Sequence, residues 1–382
     1  MRTIRDIPRF QNVPILVRAA LNVPIEKGEV ANDYRLRRAL PTITYLAERG
    51  ARVVLMSHIG EAGTETLAPV ARALAKLLPN VTFFNETVGP RAREAVRNLL
   101  PGHILILENL RRNRGEVTND PAFAKELAAL ADAFVEDSFD TCHRLHASIV
   151  GVPHLLPSYA GLLVEEEVRE LTRALAPKKP SLAVIGGAKF STKEAVLNRL
   201  LALYDHVFVG GALANDFLKS AKYEIGKSLV SNTAGGDIHS ILVNKKLILP
   251  VDVRVISSEK LGQPDARISA RVRSIDQVLP DEIILDAGPR TEKYLEILAG
   301  NAKDILWNGP LGQCEDGFVD ATDDLARAVS TSGARSTLGG GDTVAAIENI
   351  GLLPHFSFVS TGGGAMLDFL AAGTLPGLVA LN

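Results

Sequence analysis

Two kinds of chemistry-bearing residue gather at different ends of this sequence. After residue 185, glycines follow short apolar runs again and again: Ile-Gly-Gly-Ala-Lys at 185–189, Val-Gly-Gly-Ala at 209–212, Asn-Gly-Pro-Leu-Gly at 308–312, Leu-Gly-Gly-Gly-Asp-Thr at 338–343 and Ser-Thr-Gly-Gly-Gly-Ala at 360–365. Glycine lets a backbone come close to an anion, and a helix that starts there offers unpaired N–H groups with partial positive charge, so five such segments on one rim suit a polyphosphate. The first half carries arginine and histidine instead: Arg18 and Asn22, then Arg35, Arg37 and Arg38, then Ser-His-Ile-Gly at 57–60, Glu-Asn-Leu-Arg-Arg-Asn-Arg at 108–114 and Glu-Asp-Ser-Phe-Asp-Thr-Cys-His-Arg-Leu-His at 136–146. Guanidinium forks converging from separate segments make a pocket for carboxylate or phosphate.

Three other motifs carry less. The dinucleotide fingerprint GxGxxG is missing, because Gly339 and Gly341 are followed by Val344, and Gly362 and Gly364 by Leu367. Residues 221–228, Ala-Lys-Tyr-Glu-Ile-Gly-Lys-Ser, imitate a P-loop, but Ala221 replaces its first glycine and no clear strand precedes it. His143 and His146 have metal-ligand spacing without a nearby cysteine or further histidine, which favours packing and anion contact over metal binding.

The elements that must position these residues are read from apolar runs at Ile15–Arg18, Val53–Met56, Ile104–Leu107, Leu182–Ile185, His206–Val209, Ile305–Trp307 and Phe356–Val359. Between them lie stretches of helical periodicity, among them 36–48, 67–77, 122–131, 193–202 and 291–299. Such alternation predicts βαβ units and mainly parallel sheets covered on both faces, with ligands beyond the carboxyl ends of the strands. The expected fold class is α/β, with two Rossmann-like three-layer α/β/α domains joined by a long helix. The expected boundaries are 1–155 for the first domain, 156–178 for the connecting helix and 179–370 for the second domain, with 371–382 packing back on the first.

The chain has 382 residues, 46% hydrophobic and 23% charged, with a net charge of −2, so it is an ordinary globular chain with no electrostatic drive toward nucleic acid or anionic membrane. Cys142 and Cys314 offer no disulfide framework, and the first residues lack a secretory h-region. The expectation is a cytoplasmic monomer with no nucleic-acid or membrane partner.

A glycine-lined polyphosphate rim in one half and an arginine-lined small-anion rim in the other describe a two-substrate phosphoryl-transfer enzyme that excludes water by closing. The sequence resembles the phosphoglycerate kinase family over essentially its whole length. The resemblance rests on Val-Arg-Ala-Ala-Leu-Asn-Val-Pro (17–24), Ser-His-Ile-Gly (57–60), Glu-Asn-Leu-Arg (108–111), Thr-Cys-His-Arg-Leu-His-Ala-Ser (141–148), Gly-Gly-Ala-Lys (186–189), Leu-Pro-Val-Asp (249–252), Trp-Asn-Gly-Pro-Leu-Gly (307–312), Gly-Gly-Gly-Asp-Thr (339–343) and Ser-Thr-Gly-Gly-Gly-Ala (360–365). It implies the reaction 1,3-bisphosphoglycerate + ADP ⇌ 3-phosphoglycerate + ATP, with the acid on the N-terminal half and Mg-nucleotide on the C-terminal half. The implied catalytic set is Arg35 and Lys189 with Gly341 and Gly364. The implied acid-binding set is Arg18, Asn22, Arg35, His58, Arg111 and Arg144. The implied nucleotide set is Gly187, Ala188, Lys193, Gly211, Asn308, Pro310, Glu315, Gly340, Gly341, Asp342 and Thr343, with Asp342 on the Mg²⁺ side. The implied tail, 375–381, folds back onto the first domain.

The chain departs from the family pattern in places. Ala20 stands where an Asp is usual, Glu61 where an Arg is usual, and Thr192 where an Asp is usual, while 136–140 reads Glu-Asp-Ser-Phe-Asp in place of Asn-Asp-Ala-Phe-Gly. Arg112 or Arg114 is expected to replace the guanidinium missing at 61. Two competing readings follow from these changes and from the fold class. One is a related protein that binds nucleotide but has an altered or lost acceptor, and the other is a dinucleotide-dependent oxidoreductase, which the missing fingerprint disfavours.

Overall fold

Six short segments of the first half form strands, five of them wholly or mostly buried. Pro14–Ala19 (β1) is buried at every position, Arg18 included, as is Ala133–Asp137 (β7). In the computed structural model, which describes residues 1–231, 237–263 and 265–382, these strands pair in parallel. They are joined by β4 (Arg52–Met56), β5 (Val81–Phe83), β6 (Ile104–Ile106) and β8 (Ser158–Ala160), in the order β5-β6-β4-β1-β7-β8. A hairpin, β2 (Ile25–Glu26) and β3 (Glu29–Val30), lies outside the sheet. Helices α1 (Tyr34–Glu48), α2 (Ala68–Leu77), α3 (Pro90–Asn98), α4 (Arg114–Val117) and α5 (Pro121–Ala128) connect the strands. Amphipathic spacing fixes the buried side of α1: Leu36, Ala39, Ile43 and Leu46 recur every three or four residues and join the core of Ile15, Val17, Val53 and Leu55.

The connecting segment is shorter as a helix than the 156–178 read from sequence. Helix α6 runs Leu162–Ala174, because Ser158–Ala160 pairs with β7 as an edge strand and Ala160 also bridges Thr3. Contacts divide the chain into two units, Met1–Arg169 with Thr374–Asn382, and Glu170–Gly373. The tail belongs to the first unit: Gly377 donates its N–H to the Cys142 carbonyl at 2.8 Å, and Leu375, Leu378 and Leu381 are buried.

The second unit has its own parallel sheet in the order β11-β10-β9-β15-β16-β17, made of β9 (Ser181–Ile185), β10 (His206–Val209), β11 (Leu247–Ile248), β15 (Asp304–Asn308), β16 (Arg335–Gly339) and β17 (Phe358–Val359). Chain order reverses between β9 and β15, the switch point where ligands of such sheets bind. An antiparallel sheet, β13-β12-β14, made of β12 (Asp252–Ser257), β13 (Arg271–Ser274) and β14 (Glu282–Ala287), stands beside it. The helices are α7 (Glu194–Leu203), α8 (Ala212–Ser220), α9 (Ile238–Leu242), α10 (Pro289–Asn301), α11 (Asp320–Thr331), α12 (Gly341–Asn349) and α13 (Gly364–Ala372). Trp307, fully buried, anchors the core with Leu182, Phe208 and Leu338. Among the described residues, no helix is long and apolar enough to cross a membrane.

Candidate functional sites in the two units

In the first unit the acid-binding candidates meet at the carboxyl ends of β1, β4, β6 and β7. Arg18 is 1% exposed and spends its donors internally: Nε on the Ser148 hydroxyl at 3.1 Å, Nη1 on the Ala19 carbonyl and the Ser57 hydroxyl at 3.1 and 3.2 Å, and Nη2 on His58 Nδ1 at 2.9 Å. A guanidinium can only donate, so His58 Nδ1 accepts and the ring proton sits on Nε2. Burial, then the charges of Arg18, Arg111 and Arg144, hold His58 far below the ordinary histidine value. The same causes, burial first, push His146 down to about 4. Both imidazoles are therefore neutral near pH 7, and the arginines carry the positive charge. Ser148 in turn donates to Glu116 at 2.6 Å, which fixes the hydroxyl under Arg18.

Arg35 and Arg111 are linked through backbone. Arg35 Nη1 donates to the Asn22 carbonyl at 3.0 Å, Asn22 Oδ1 accepts the Gly60 N–H at 3.2 Å, and the Gly60 carbonyl accepts Arg111 Nη1 at 2.6 Å. Each of these arginines also has a carboxylate that the family pattern lacks: Asp140 at 3.4 Å from Arg35 and Glu61 at 2.7 Å from Arg111. Arg144, half-buried, adds its charge to the two histidines. Both arginines expected to stand in at 61 are exposed. Arg112 is engaged by the buried Glu108 at 3.2 Å, and Arg114 is an exposed first residue of α4. Among the described residues no cluster of His, Cys, Asp or Glu is arranged to hold a metal on its own, and His143 and His146 form none.

In the second unit two adjoining cavities, of about 280 and about 530 Å³, share Gly187, Ala188, Pro310 and Asp342. The larger is lined by Lys189, Lys193, Asn308, Gly340, Gly341, Thr343 and Gly364, so it collects the phosphate-side candidates. The smaller is lined by Gly211, Glu315 and an apolar wall of Leu218, Val253, Ile283 and Leu285. An apolar slot opening on a glycine and lysine rim suits a flat heterocycle carrying phosphates. That wall comes largely from the antiparallel sheet, through Val253 of β12 and Ile283 and Leu285 of β14, and was missed in the sequence because these apolar side chains carry no chemical motif.

The glycines divide into two kinds, which corrects the reading that all five strand ends offer free amides. Gly186 N–H goes to the Asn308 carbonyl at 2.9 Å, Gly187 N–H to the Pro310 carbonyl at 3.2 Å, Gly211 N–H to the Leu311 carbonyl at 3.1 Å, and Gly309 N–H to the Thr343 hydroxyl at 2.9 Å. These turns lock onto one another, and a Cβ on Gly186 would lie 2.0 Å from the Pro310 carbonyl oxygen. Thr343, fully buried, therefore uses its hydroxyl internally. The amides left for a ligand belong to the helix starts at Ala212, Gly341 and Gly364, whose first N–H groups have no partner within the helix. Lys193 Nζ lies over Gly187, 3.2 Å from where its Cβ would be. Burial lowers the Lys193 amine below its ordinary value, and the neighbouring Asp342 acts in the opposite direction. Lys189 is exposed, with its carbonyl held by Thr192 Oγ1 at 3.0 Å. The P-loop imitation at 221–228 follows a helix, not a strand, and Gly226 packs on the Glu282 carbonyl.

The sequence model of the family described as "Phosphoglycerate kinase" matches residues 4–373. The chain belongs to the phosphoglycerate kinase family. Its relatives include proteins named phosphoglycerate kinase from Moorella thermoacetica, 42% identical over 100% of this chain and 98% of the relative, and from Roseiflexus castenholzii, 41% identical over 100% and 99%. Among solved structures, the phosphoglycerate kinase of Coxiella burnetii is 41% identical with a TM-score of 0.83, covering 99% of this chain and 98% of its own. That of Pyrococcus horikoshii is 30% identical with a TM-score of 0.87, covering 100% and 98%. Likeness over the whole chain to proteins carrying this one name supports the kinase over the altered-acceptor reading.

Proposed function

We propose that the protein is a phosphotransferase acting on a carboxyl group, which moves a phosphoryl group reversibly between 1,3-bisphosphoglycerate and ADP to give 3-phosphoglycerate and ATP. The observation that carries the reading is that one chain of this family keeps both candidate sets at strand ends: Arg18, Asn22, Arg35, His58, Arg111 and Arg144 in one unit, and Lys189, Lys193 and Asp342 in the other. The acid is held in the first unit by guanidinium forks, with His58 and His146 neutral so that charge is concentrated on the arginines. Mg-ADP or Mg-ATP lies in the second, base against the apolar wall and phosphates toward Gly341, Gly364 and Lys193.

The residues present fit Mg²⁺ that arrives with nucleotide. Asp342 lines both cavities at the start of α12, and one or two carboxylates plus substrate phosphates is the usual Mg²⁺ set. When bound, the ion would neutralise phosphate charge. Arg35 and Lys189 supply the remaining positive charge to the transferring group, which passes through a loose transition state and needs no covalent intermediate. The acceptor carboxylate is already a nucleophile, so no general base is required. We place the reaction in the cytoplasm, with a monomer as the acting species; both cysteines are free thiols, in keeping with a reducing compartment.

A coupled assay of ATP-dependent 3-phosphoglycerate turnover tests the reading. Wild type is expected to turn over, and Lys189→Ala to lose at least about a hundredfold. Absence of turnover by wild type would refute the function, and equal rates would remove Lys189 from its role.

A further inference from the structure

Glu61 and Arg111 form an unequal ion pair. The Arg111 side chain is 3% exposed, that of Glu61 is 80% exposed, and their charged atoms are 2.7 Å apart. Arg111 Nη1 also donates to the Gly60 carbonyl, while its Nε is buried with no hydrogen-bond partner. The guanidinium is therefore satisfied at one end and still holds an unused donor. The backbone that delivers Glu61 is fixed. Gly60 and Gly63 have φ of +65° and +74°, and a Cβ on Gly63 would lie 2.2 Å from the Arg111 carbonyl oxygen. The loop is pressed against Arg111 while the glutamate side chain remains in solvent, free to swing away.

We propose that Glu61 is a specificity-determining residue, an internal carboxylate that neutralises Arg111 in the ligand-free pocket and is displaced by the acidic substrate. The inference rests on the reading of the first unit as the acid-binding side. An incoming anion gains Arg111 only by replacing a carboxylate already there. A phosphorylated acid, with more charge and three acceptor oxygens, makes that exchange better than a simple carboxylate does. The pocket thus discriminates by charge at one arginine. Neutral His58 and His146 beside it leave the contest to the guanidinium groups.

The test is calorimetric titration of the intact protein with 3-phosphoglycerate and, separately, with inorganic phosphate, comparing wild type with Glu61→Gln and Glu61→Ala. Both variants are expected to bind each anion about threefold to tenfold more tightly, the range of a partly exposed ion pair that no longer has to be broken. ADP affinity, read in the same way, should move less than about twofold, since Glu61 lines neither nucleotide cavity. Unchanged or weaker anion binding in both variants would overturn the proposal. Failure of the kinase reading is separate: it would appear as missing turnover in wild type, while the phosphate titration would still report on Glu61.

Discussion

The Arg35 guanidinium stands 3.4 Å from the Asp140 carboxylate, and the same Nη1 donates to the Asn22 carbonyl at 3.0 Å. The Asp140 side chain is 6% exposed and is itself held by the Ser138 hydroxyl at 2.7 Å. At that separation the Arg35 contact is more charge than hydrogen bond. Unlike Glu61, Asp140 cannot swing into solvent, so it orients Arg35 rather than competing for it.

Asp140→Ala is therefore expected to lower kcat by about tenfold, roughly 1.4 kcal/mol of transition-state stabilisation lost through a misplaced Arg35. Asp140→Asn, which keeps the shape but removes the charge, should show most of the same loss. Steady-state kinetics on both variants checks this. A fall in melting temperature without a change in kcat would make Asp140 merely structural.

Two glycines separate folding from ligand approach. A Cβ at Gly186 would meet the Pro310 and Gly309 carbonyl oxygens at 2.0 and 2.6 Å, both backbone, whereas at Gly341 it would meet nothing within 4 Å. Gly186→Ala should cost more than about 2 kcal/mol of stability in the second unit. Gly341→Ala should fold as well as wild type and weaken ADP by about tenfold, since its methyl group occupies the space where phosphates approach. Denaturant unfolding and ADP titration of the two variants distinguish these outcomes.

Buried carboxylates and buried imidazoles set opposite pH slopes in the first unit. Burial pushes Asp137 up to about 8, even though the Thr42 side chain, the Leu163 N–H at 3.0 Å from Oδ1 and the Arg38 charge all act to lower it. Burial raises Glu136 as well. A folded-state value above the unfolded one means that the folded chain holds the proton longer, so stability falls as pH rises from about 4 to about 8. His146, lowered to about 4, gives the opposite slope between about 6.5 and about 4, as does His58. Below about 6.5 the two effects oppose each other; above it only the carboxylates remain. Stability is expected to drop by about 2 kcal/mol or more between pH 6.5 and 8. Asp137→Asn should flatten that decline, as read from urea unfolding at the two pH values.

The parallel sheets were legible because strands buried on both faces are written as apolar runs, and β1, β4, β9 and β10 stand where Ile15–Arg18, Val53–Met56, Leu182–Ile185 and His206–Val209 placed them. The antiparallel sheet was not, since a half-exposed strand such as Arg271–Ser274 reads as polar loop. The candidate residues were legible by type and position after strands, but not by what they already bond. Gly187 and Thr343 looked like ligand contacts, yet one amide and one hydroxyl are spent inside the rim. Glu61 reads in the sequence only as a missing guanidinium, and three-dimensional placement shows it paired with Arg111. Sequence spacing reports which groups reach a rim, and hydrogen-bond saturation decides which remain available there.

Asp342, on the proposed reading a Mg²⁺-side carboxylate, faces the same cavity as Lys193. Its charge raises the Lys193 amine against the lowering effect of burial, and both residues line the larger cavity. Asp342→Asn should therefore do two things at once. It removes a carboxylate fit for Mg²⁺, so the Mg²⁺ concentration for half-maximal rate should rise about tenfold. It also removes the charge that raises the Lys193 amine, so that amine falls further and the alkaline limb of the rate profile moves to lower pH. Mg²⁺ titrations at fixed ADP and a pH–rate profile of the variant measure the two effects. A changed Mg²⁺ requirement with an unmoved alkaline limb would show that Asp342 does not act on Lys193.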